Sequence, residues 1–446
     1  MTTRLGDTAA VLGAGVGGLA AAAALAPFFD RVVVLERDVL PDGVAHRDGT
    51  PQSRHVHALL AGGEGALNEL LPGFTGDLRA AGAVPLRVGL DVQYERPGFD
   101  PFPRRDLGWV SHAMSRPLME SVLRQRVRGL PNVELRSRCR VNALVARDGR
   151  VRTVSFEAAG APPQILDAAL IVDATGRAVP TLDLLATLGE PLPEETSIGV
   201  DIHYASAVFA MPQSCSDDWL GVFHFPNAPH ETRGALLLPM EHRQWIVTLG
   251  TRFDDKPPNE RAGFMRFLRE LRRPTLHEAL CDAELSGEIR QWAFPASVRR
   301  HFERLGRFPG SLIPLADAIC RFNPIYGQGM SVASQEALLL SQLLAKAQEA
   351  DLADGTLAQR FFAGAQGVIE TPWAMAAVPD LVYPATRGER PVNFAATLQF
   401  AQALTRLAAK DPDVHKLTIQ VQHLLKPNTV YREPALVQRV LQEMSS

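Results

Sequence analysis

The sequence predicts an α/β fold: a Rossmann-like nucleotide-binding domain, an inserted and mostly antiparallel β-sheet, and a helical C-terminal region. Three observations support this prediction. A strand, a glycine-rich turn, a helix and a second strand open the chain, alternating apolar residues fill 196–298, and helical patterns dominate 351–446. The 446 residues are enough for two or three such domains.

Composition excludes several classes of protein. The 46 basic and 49 acidic residues nearly balance, which argues against nucleic acid as a partner. Residues 9–29 carry no charge and are long enough to cross a membrane, but their glycines and Pro27 favour a nucleotide-binding turn, so no transmembrane span is expected. No zinc or dithiol spacing relates the four cysteines, which predicts a reduced, cytoplasmic protein without a metal site; they are Cys139, Cys215, Cys281 and Cys320.

The first turn has the glycine spacing of a dinucleotide-binding motif. Gly13 permits the tight turn, Gly15 lets the backbone approach a pyrophosphate, and Gly18 allows the helix over residues 19–26 to pack closely on the first strand. Glu36 ends the second strand, 18 residues after Gly18, where an acid binds ribose hydroxyls. This unit predicts dinucleotide binding but does not distinguish NAD from FAD.

A second motif, far along the chain, favours FAD. Residues 312–316 predict a strand, and Asp317 at its end is placed to bind a sugar-alcohol hydroxyl. A turn with little side-chain bulk follows, over residues 324–329, and a helix over 330–348 begins at once. The positive end of that helix would stabilise the negative charge that a reduced flavin carries on its pyrimidine edge.

Together the two motifs resemble the FAD-dependent monooxygenases of the para-hydroxybenzoate hydroxylase fold. Residues 50–60 (Thr-Pro-Gln-Ser-Arg-His-Val-His-Ala-Leu-Leu) and 323–330 (Asn-Pro-Ile-Tyr-Gly-Gln-Gly-Met) are similar to segments of bacterial polyether-type epoxidases and, more distantly, squalene epoxidase. Residues 114–123 resemble the arginine-led helix that lies beside FAD in this family.

The resemblance implies a set of FAD-contacting residues. Gly13, Gly15 and Gly18 would cradle the pyrophosphate, Glu36 would bind the adenosine ribose and Arg37 would lie near the adenine. The remaining residues would contact the pyrophosphate and ribityl chain (Arg54, Arg116 and Asp317) or line the isoalloxazine ring (Pro324, Gly327, Gly329 and Met330).

The reaction that the resemblance implies is insertion of one atom of O2, through a flavin hydroperoxide, into an apolar intermediate of secondary metabolism: a polyene, polyketide, terpenoid or aromatic compound. Alkene epoxidation is favoured because it needs no protein base and no acid–base pair stands out, so catalytic residues stay unassigned. Aromatic hydroxylation and a geranylgeranyl-reductase-like reduction or dehydrogenation are the alternatives. The Trp-x-Trp-x-x-Pro element of flavin-dependent halogenases is absent, which argues against halogenation.

One departure concerns the source of electrons. Hydroxylases of this family carry an Asp-Gly pair near the middle of the chain, tied to handling of both FAD and NAD(P)H, whereas here Ala and Thr separate Asp173 from Gly176. NADPH or NADH would therefore supply electrons either directly or through a separate flavin reductase, and the second route is expected.

The domains are predicted to alternate along the chain. Residues 1–84, 112–190 and 299–350 would build the FAD-binding domain, 85–111 and 191–298 the substrate domain, and 351–446 a helical region broken at prolines that include Pro372 and Pro379. An apolar face over 413–425 either packs on the domain or covers a substrate entrance, a dimer face or a membrane surface. Candidate pocket residues are Tyr94, Tyr204, Phe223, His224 and Trp245, and His224 is the candidate base if the reaction is a hydroxylation.

Overall fold

The computed structural model describes residues 4–213 and 218–445. Its strands are β1 (Gly6–Leu12), β2 (Phe29–Leu35), β3 (Val84–Arg87), β4 (Val92–Glu95), β5 (Val110–Ala113), β6 (Val133–Arg136), β7 (Cys139–Arg147), β8 (Arg150–Ala158), β9 (Gln164–Asp167), β10 (Leu170–Asp173), β11 (Glu195–Ala210), β12 (Gly221–His224), β13 (Gly234–Met240), β14 (Gln244–Arg252), β15 (Leu285–Arg300), β16 (Leu312–Pro314) and β17 (Cys320–Arg321).

The helices are α1 (Val16–Leu25), α2 (Ala61–Leu70), α3 (Phe74–Ala80), α4 (Val88–Asp91), α5 (Arg116–Arg128), α6 (Val179–Leu188), α7 (Arg261–Arg269), α8 (Thr275–Leu280), α9 (Gly329–Leu344), α10 (Glu349–Ala353), α11 (Thr356–Leu381), α12 (Phe394–Lys410), α13 (Pro412–Gln422) and α14 (Pro434–Ser445).

A five-stranded parallel sheet brings distant parts of the chain together. Its order is β16–β10–β1–β2–β6, and Val11 of β1 pairs with Val34 of β2 on one side and with Val172 of β10 on the other. Strands β1, β2 and β10 contain short buried apolar runs, as expected where helices cover both faces of a parallel sheet. Every residue of α1 is buried. The α/β fold predicted from the sequence is confirmed.

A seven-stranded sheet forms the second layer, in the order β17–β15–β11–β14–β13–β12–β4. Every pairing in it is antiparallel except that of β12 with β4, so the prediction of a mostly antiparallel sheet is confirmed, as is the hairpin of β13 and β14. One face packs against α7 and α8 through a core that includes Phe209, Val247 and Phe264. The opposite face carries Tyr204 and is turned towards the loops of the parallel sheet, where Ile325 joins its apolar cluster.

Two smaller sheets complete the strand pairing. Strands β3 and β5 form an antiparallel pair, and β7, β8 and β9 form a three-stranded meander that the sequence prediction did not include.

The C-terminal helices differ from the prediction in one respect. Helix α11 runs without interruption through Pro372 and Pro379, so the breaks expected at these two prolines are wrong. A proline inside a helix costs about 3 kcal/mol, and the burial of Ile369 and Ala376 along α11 supplies packing that offsets this cost. Helices α12, α13 and α14 share an apolar core that reaches Phe102, so the apolar face of α13 packs within the molecule.

Several structural features are absent from residues 4–213 and 218–445. No helix there has the length and hydropathy required to cross a membrane, and no three His, Cys, Asp or Glu side chains lie close enough together to hold a metal ion. Cys139, Cys281 and Cys320 are free thiols, and Cys215 lies outside the described residues.

Candidate functional site

The first glycine-rich turn is shaped so that only glycine fits at two of its positions. Gly13 has a φ of +96°, and a Cβ there would lie 2.8 Å from the carbonyl oxygen of Ala174, while a Cβ on Gly18 would collide with the Gly13 carbonyl oxygen. Gly15 is different, because a Cβ there would meet nothing within 4 Å. The backbone at Gly15 therefore borders open space, as the approach of a pyrophosphate requires.

Glu36 closes the other side of this turn. Its Oε2 accepts a hydrogen bond from the Ala14 N–H at 2.6 Å, and its Oε1 accepts one from the Asp38 N–H at 3.0 Å. The guanidinium of Arg47, which sequence reasoning missed, lies 3.3 Å from Glu36 and 3.2 Å from Glu120. Arg47 is buried, so it ties the end of β2 to helix α5 in the interior.

Arg37 and Arg54, by contrast, lie at the surface. The Arg37 side chain is 71% exposed, and Arg54 is exposed at the end of the 3-10 turn Pro51–Arg54. Their roles towards adenine and pyrophosphate stay predictions.

Arg116 is held in a defined position at the start of α5. Ser115 caps this helix by accepting a hydrogen bond from the Leu118 N–H, and the Arg116 Nε donates to Glu120 at 2.8 Å. The Arg116 Nη1 lies 3.3 Å from the His57 Nε2. Burial lowers the pKa of His57 to about 3, so this imidazole is neutral and accepts from Arg116 while its Nδ1–H donates to the His55 carbonyl oxygen at 2.8 Å.

Three turns from distant parts of the chain meet at the carboxyl edge of the parallel sheet. A Cβ on Gly17 would lie 2.8 Å from the Ala316 Cβ, and one on Gly176 would lie 4.0 Å from the Asp317 Cβ. A Cβ on Gly329 would lie 3.9 Å from the Asp317 Oδ1. The structure thus brings the glycine-rich turn, the turn after β10 and the turn before α9 together around Asp317, whose pKa is raised by burial.

The residues between Asp173 and Gly176 have a structural explanation. The buried Asp173 carboxylate accepts hydrogen bonds from the Thr175 hydroxyl at 2.7 Å and the Thr181 hydroxyl at 2.6 Å. It also accepts from the backbone N–H groups of these two threonines. Asp173 therefore fixes the turn after β10 from inside the protein.

Two further acids that sequence reasoning missed support the turns from behind. Glu336 of α9 is fully buried, and its Oε2 accepts from the Ala316 N–H at 2.6 Å. Burial raises its pKa to about 8. Asp380 of α11 accepts from the Asn323 Nδ2 at 2.8 Å and pairs with the buried Arg252 of β14 at 2.6 Å.

The turn from Asn323 to Met330 is organised by these contacts. The Asn323 Oδ1 accepts from the Ile325 N–H at 3.0 Å and so shapes the turn that begins at Pro324. Gly327 adopts a φ of +63° and faces Ala58, whose Cβ would lie 3.0 Å from a Cβ at this glycine. Gln328 is buried, and neither polar atom of its amide has a hydrogen-bond partner in the protein. Helix α9 begins at Gly329, so Gly329 and Met330 stand at its positive end.

A hydroxyl chain places His55 against the seven-stranded sheet. The Val56 N–H donates to the Thr248 Oγ1 at 3.0 Å, Thr248 and Ser206 share a hydrogen bond of 2.5 Å, and the Ser206 Oγ lies 2.7 Å from the His55 Nδ1. The other ring nitrogen of His55, Nε2, is buried without a partner, as is the hydroxyl of neighbouring Tyr204. Burial lowers the pKa of His55 to about 4, so the ring is neutral.

The five candidate pocket residues divide between the two faces of the sheet. Tyr94, Tyr204 and Phe223 lie on the face turned towards the turns. Trp245 packs in the core under α7 and α8, and His224 is buried beside Glu95 at 2.7 Å. Because alternate residues of a strand point to opposite faces, His224 points away from the face that carries Phe223, and its assignment as a candidate base is wrong.

Comparison with known proteins identifies relatives of the chain. It is 32% identical over 403 residues to Protein Rv3254 of Mycobacterium tuberculosis, an alignment that covers 86% of this chain and 82% of that protein. No protein-family model matches the chain.

Solved structures share the fold. The flavin-dependent brominase Bmp2 superposes with a TM-score of 0.70 at 14% identity, over 99% of both chains. The p-nitrophenol 4-monooxygenase PnpA of Pseudomonas putida gives 0.64 at 20% identity, over 95% of this chain and 99% of its own. The myxobacterial chondrochloren halogenase CndH gives 0.64 at 17% identity, over 94% and 96%. The chain therefore belongs to the family of Protein Rv3254, and its fold is that of the FAD-dependent monooxygenases and halogenases.

Proposed function

We propose that the chain is an FAD-dependent oxidoreductase that uses O2 to oxygenate a small organic substrate. The single observation that carries the proposal is the convergence of three turns around Asp317, with open space at the backbone of Gly15. The fold shared with FAD-dependent monooxygenases supports the same proposal.

The residues at the site fit FAD. The Gly15 backbone leaves the room that a Cβ would fill, and the buried Gln328 amide has an unpartnered donor and an unpartnered acceptor, which match the mixed donors and acceptors of a flavin pyrimidine edge. Gly13, Gly15 and Gly18 would hold the pyrophosphate, Glu36 and Arg37 the adenosine, and Arg54, Arg116 and Asp317 the pyrophosphate and ribityl chain. Pro324, Gly327, Gly329 and Met330 would line the ring.

Bound FAD would supply the electrons that activate O2, and the protein would supply orientation and a dry environment. The seven-stranded sheet covers the turn before α9 through the apolar cluster of Tyr204 and Ile325, which would exclude water. The N–H groups at the start of α9 would stabilise negative charge that develops in front of them. NADPH or NADH would be the source of electrons, and because the Asp-Gly pair is altered we infer delivery through a separate reductase.

For the substrate, we propose alkene epoxidation first, because the reacting carbon–carbon double bond needs no protein base. Hydroxylation of a phenolic ring is the second candidate, and the unpartnered His55 Nε2 favours it, since a neutral imidazole can accept a phenol proton. Halogenation, which the absent Trp-x-Trp-x-x-Pro element argues against, is a third candidate because Bmp2 and CndH share the fold.

The test uses the purified protein. It is loaded with FAD, freed of unbound cofactor and supplied with reducing equivalents, heavy-oxygen-labelled O2 and a panel of polyenes and phenols, with and without bromide. One labelled oxygen in a product, detected by mass spectrometry, supports oxygenation. Bromine in a product would show instead that the reaction is halogenation. A protein that retains no FAD refutes the proposal.

A further inference from the structure

Arg96, directly after strand β4, lies in an aromatic cage. Its guanidinium carbon is 5.0 Å from the ring centre of Phe225, 5.6 Å from that of Tyr94 and 5.8 Å from that of Phe102. Three rings around one cation hold the guanidinium in place without neutralising its charge.

No acid of the described chain compensates this cation. Arg96 forms no ion pair within residues 4–213 and 218–445, and its Nε is buried without a hydrogen-bond partner. The adjacent Glu95 is engaged elsewhere, by His224 at 2.7 Å and Thr275 at 2.5 Å. Arg252, by contrast, is a buried cation that forms an ion pair with Asp380.

The titratable groups near Arg96 are neutral and do not compensate its charge either. Burial raises the pKa of Tyr94 to about 12 and raises that of Tyr326 further. Burial, Arg105 and Arg96 itself lower the pKa of His415 to about 4. An arginine surrounded by neutral groups retains its full charge, and a buried charge without a partner is costly.

Arg96 lies near the turn before α9. Its side chain is partly accessible to solvent, and burial lowers its pKa. Tyr326, in that turn, is also partly accessible, and it is close enough to Arg96 for this cation to oppose the rise in its pKa. The cation therefore stands next to the segment proposed to line the flavin ring.

We propose that Arg96 binds an anionic oxygen of the substrate, a carboxylate or an ionised phenol, while Tyr94 and Phe225, the partly accessible rings of its cage, contact the apolar part of the same molecule. The planar fork of a guanidinium suits a carboxylate, and such charge-assisted bonds are stronger than neutral ones. This inference rests on the proposed function and narrows its substrate class from apolar to amphipathic acids.

The experiment compares two probes of the same ring system by calorimetry on the FAD-loaded protein, 2-naphthoate and neutral 2-naphthalenemethanol. Wild-type protein is expected to prefer the carboxylate. Arg96→Met keeps the packing volume and removes the charge, so it should weaken 2-naphthoate binding by about ten- to a hundredfold, as for loss of a charge-assisted hydrogen bond. Binding of 2-naphthalenemethanol should be retained. Titrating 2-naphthol above and below the pH of its ionisation separates recognition of a phenolate from that of a carboxylate.

A matched control is available on another surface. Arg233 also lies over a ring, that of Phe267 at 5.1 Å, but it pairs with Asp255 and is exposed, whereas Arg96 is only partly accessible. Arg233→Met should leave 2-naphthoate binding unchanged, and Arg96→Lys should keep part of it because the charge remains.

Each possible result supports or refutes the anion site at Arg96. Equal binding of the two probes by wild-type protein, or equal binding of 2-naphthoate by wild-type and Arg96→Met, overturns the anion site. A lower melting temperature of Arg96→Met with unchanged binding would assign Arg96 to packing alone. Failure to take up FAD, with the carboxylate preference intact in the flavin-free protein, would refute the proposed function but not the anion site.

Discussion

Glu336 should hold a proton in the folded protein at neutral pH. Its carboxyl group is fully buried, one oxygen accepts from the Ala316 N–H at 2.6 Å, and the other has no partner. Burial raises its pKa from 4.5 to about 8, and the charge of Asp317 adds to the rise. The backbone N–H of Ala316 opposes the shift without cancelling it.

This shift makes stability depend on pH. Because the pKa is raised in the folded state, the contribution is most favourable below about pH 4.5, declines through the interval up to about pH 8 and is constant above it. The slope is about 1.4 kcal/mol per pH unit, which gives roughly 5 kcal/mol across the interval. Glu336→Gln keeps the oxygen that accepts from Ala316 but cannot ionise. The difference in the free energy of unfolding, variant minus wild type, should therefore increase by about 4 kcal/mol from about pH 5 to about pH 8.

Urea unfolding followed by fluorescence, in steps across this pH range, measures the difference. Glu157→Gln serves as the control, because Glu157 is exposed on β8 whereas Glu336 is buried. If the difference for Glu336→Gln varied with pH no more than that for Glu157→Gln, Glu336 would titrate alike in the folded and unfolded chains, and the argument from burial would be wrong.

Four further outcomes are expected at the site. Gly15→Val should abolish retention of FAD, read by flavin absorbance after gel filtration, and leave the fold intact, whereas Gly43→Val, which also meets no atom within 4 Å, should retain it. Asp317→Ala should yield colourless protein, and full yellow occupancy would refute its ribityl role. Asp380→Asn should cost about 3–5 kcal/mol in urea unfolding, because it leaves Arg252 buried without its counter-ion. NADPH alone should bleach the flavin slowly without oxygen, and an added flavin reductase should bleach it rapidly; fast reduction by NADPH alone would contradict the inferred route.

The turns of the site could be predicted because their requirements are local. Gly13 and Gly18 are needed by the geometry of one short turn, and Asp317 lies three residues beyond the end of the buried strand β16. Their convergence follows from the parallel sheet, since the carboxyl ends of parallel strands meet at one edge.

The supporting residues could not be predicted in this way. Arg47 meets Glu120 across 73 positions of sequence, and Arg252 meets Asp380 across 128. Each is an ordinary charged residue in its own segment, and only the tertiary fold makes it a buried partner. His224 illustrates a different limit. Alternation along a strand defines two faces, but it does not tell which of them faces the site, and a shift of one residue separates His224 from Phe223.

Polar atoms without partners are concentrated at this site. Of the fourteen such buried side-chain atoms among the described residues, six belong to His55, Arg96, Tyr204, Arg252 and Gln328. Each costs about 1–3 kcal/mol when nothing satisfies it, which is a large penalty for a folded chain to carry in one place. A cofactor and a substrate with complementary oxygens and nitrogens would remove that penalty, whereas a purely apolar molecule would leave it. The same atoms would therefore select the ligand, because a compound that leaves these donors and acceptors buried without partners binds less tightly by their full cost.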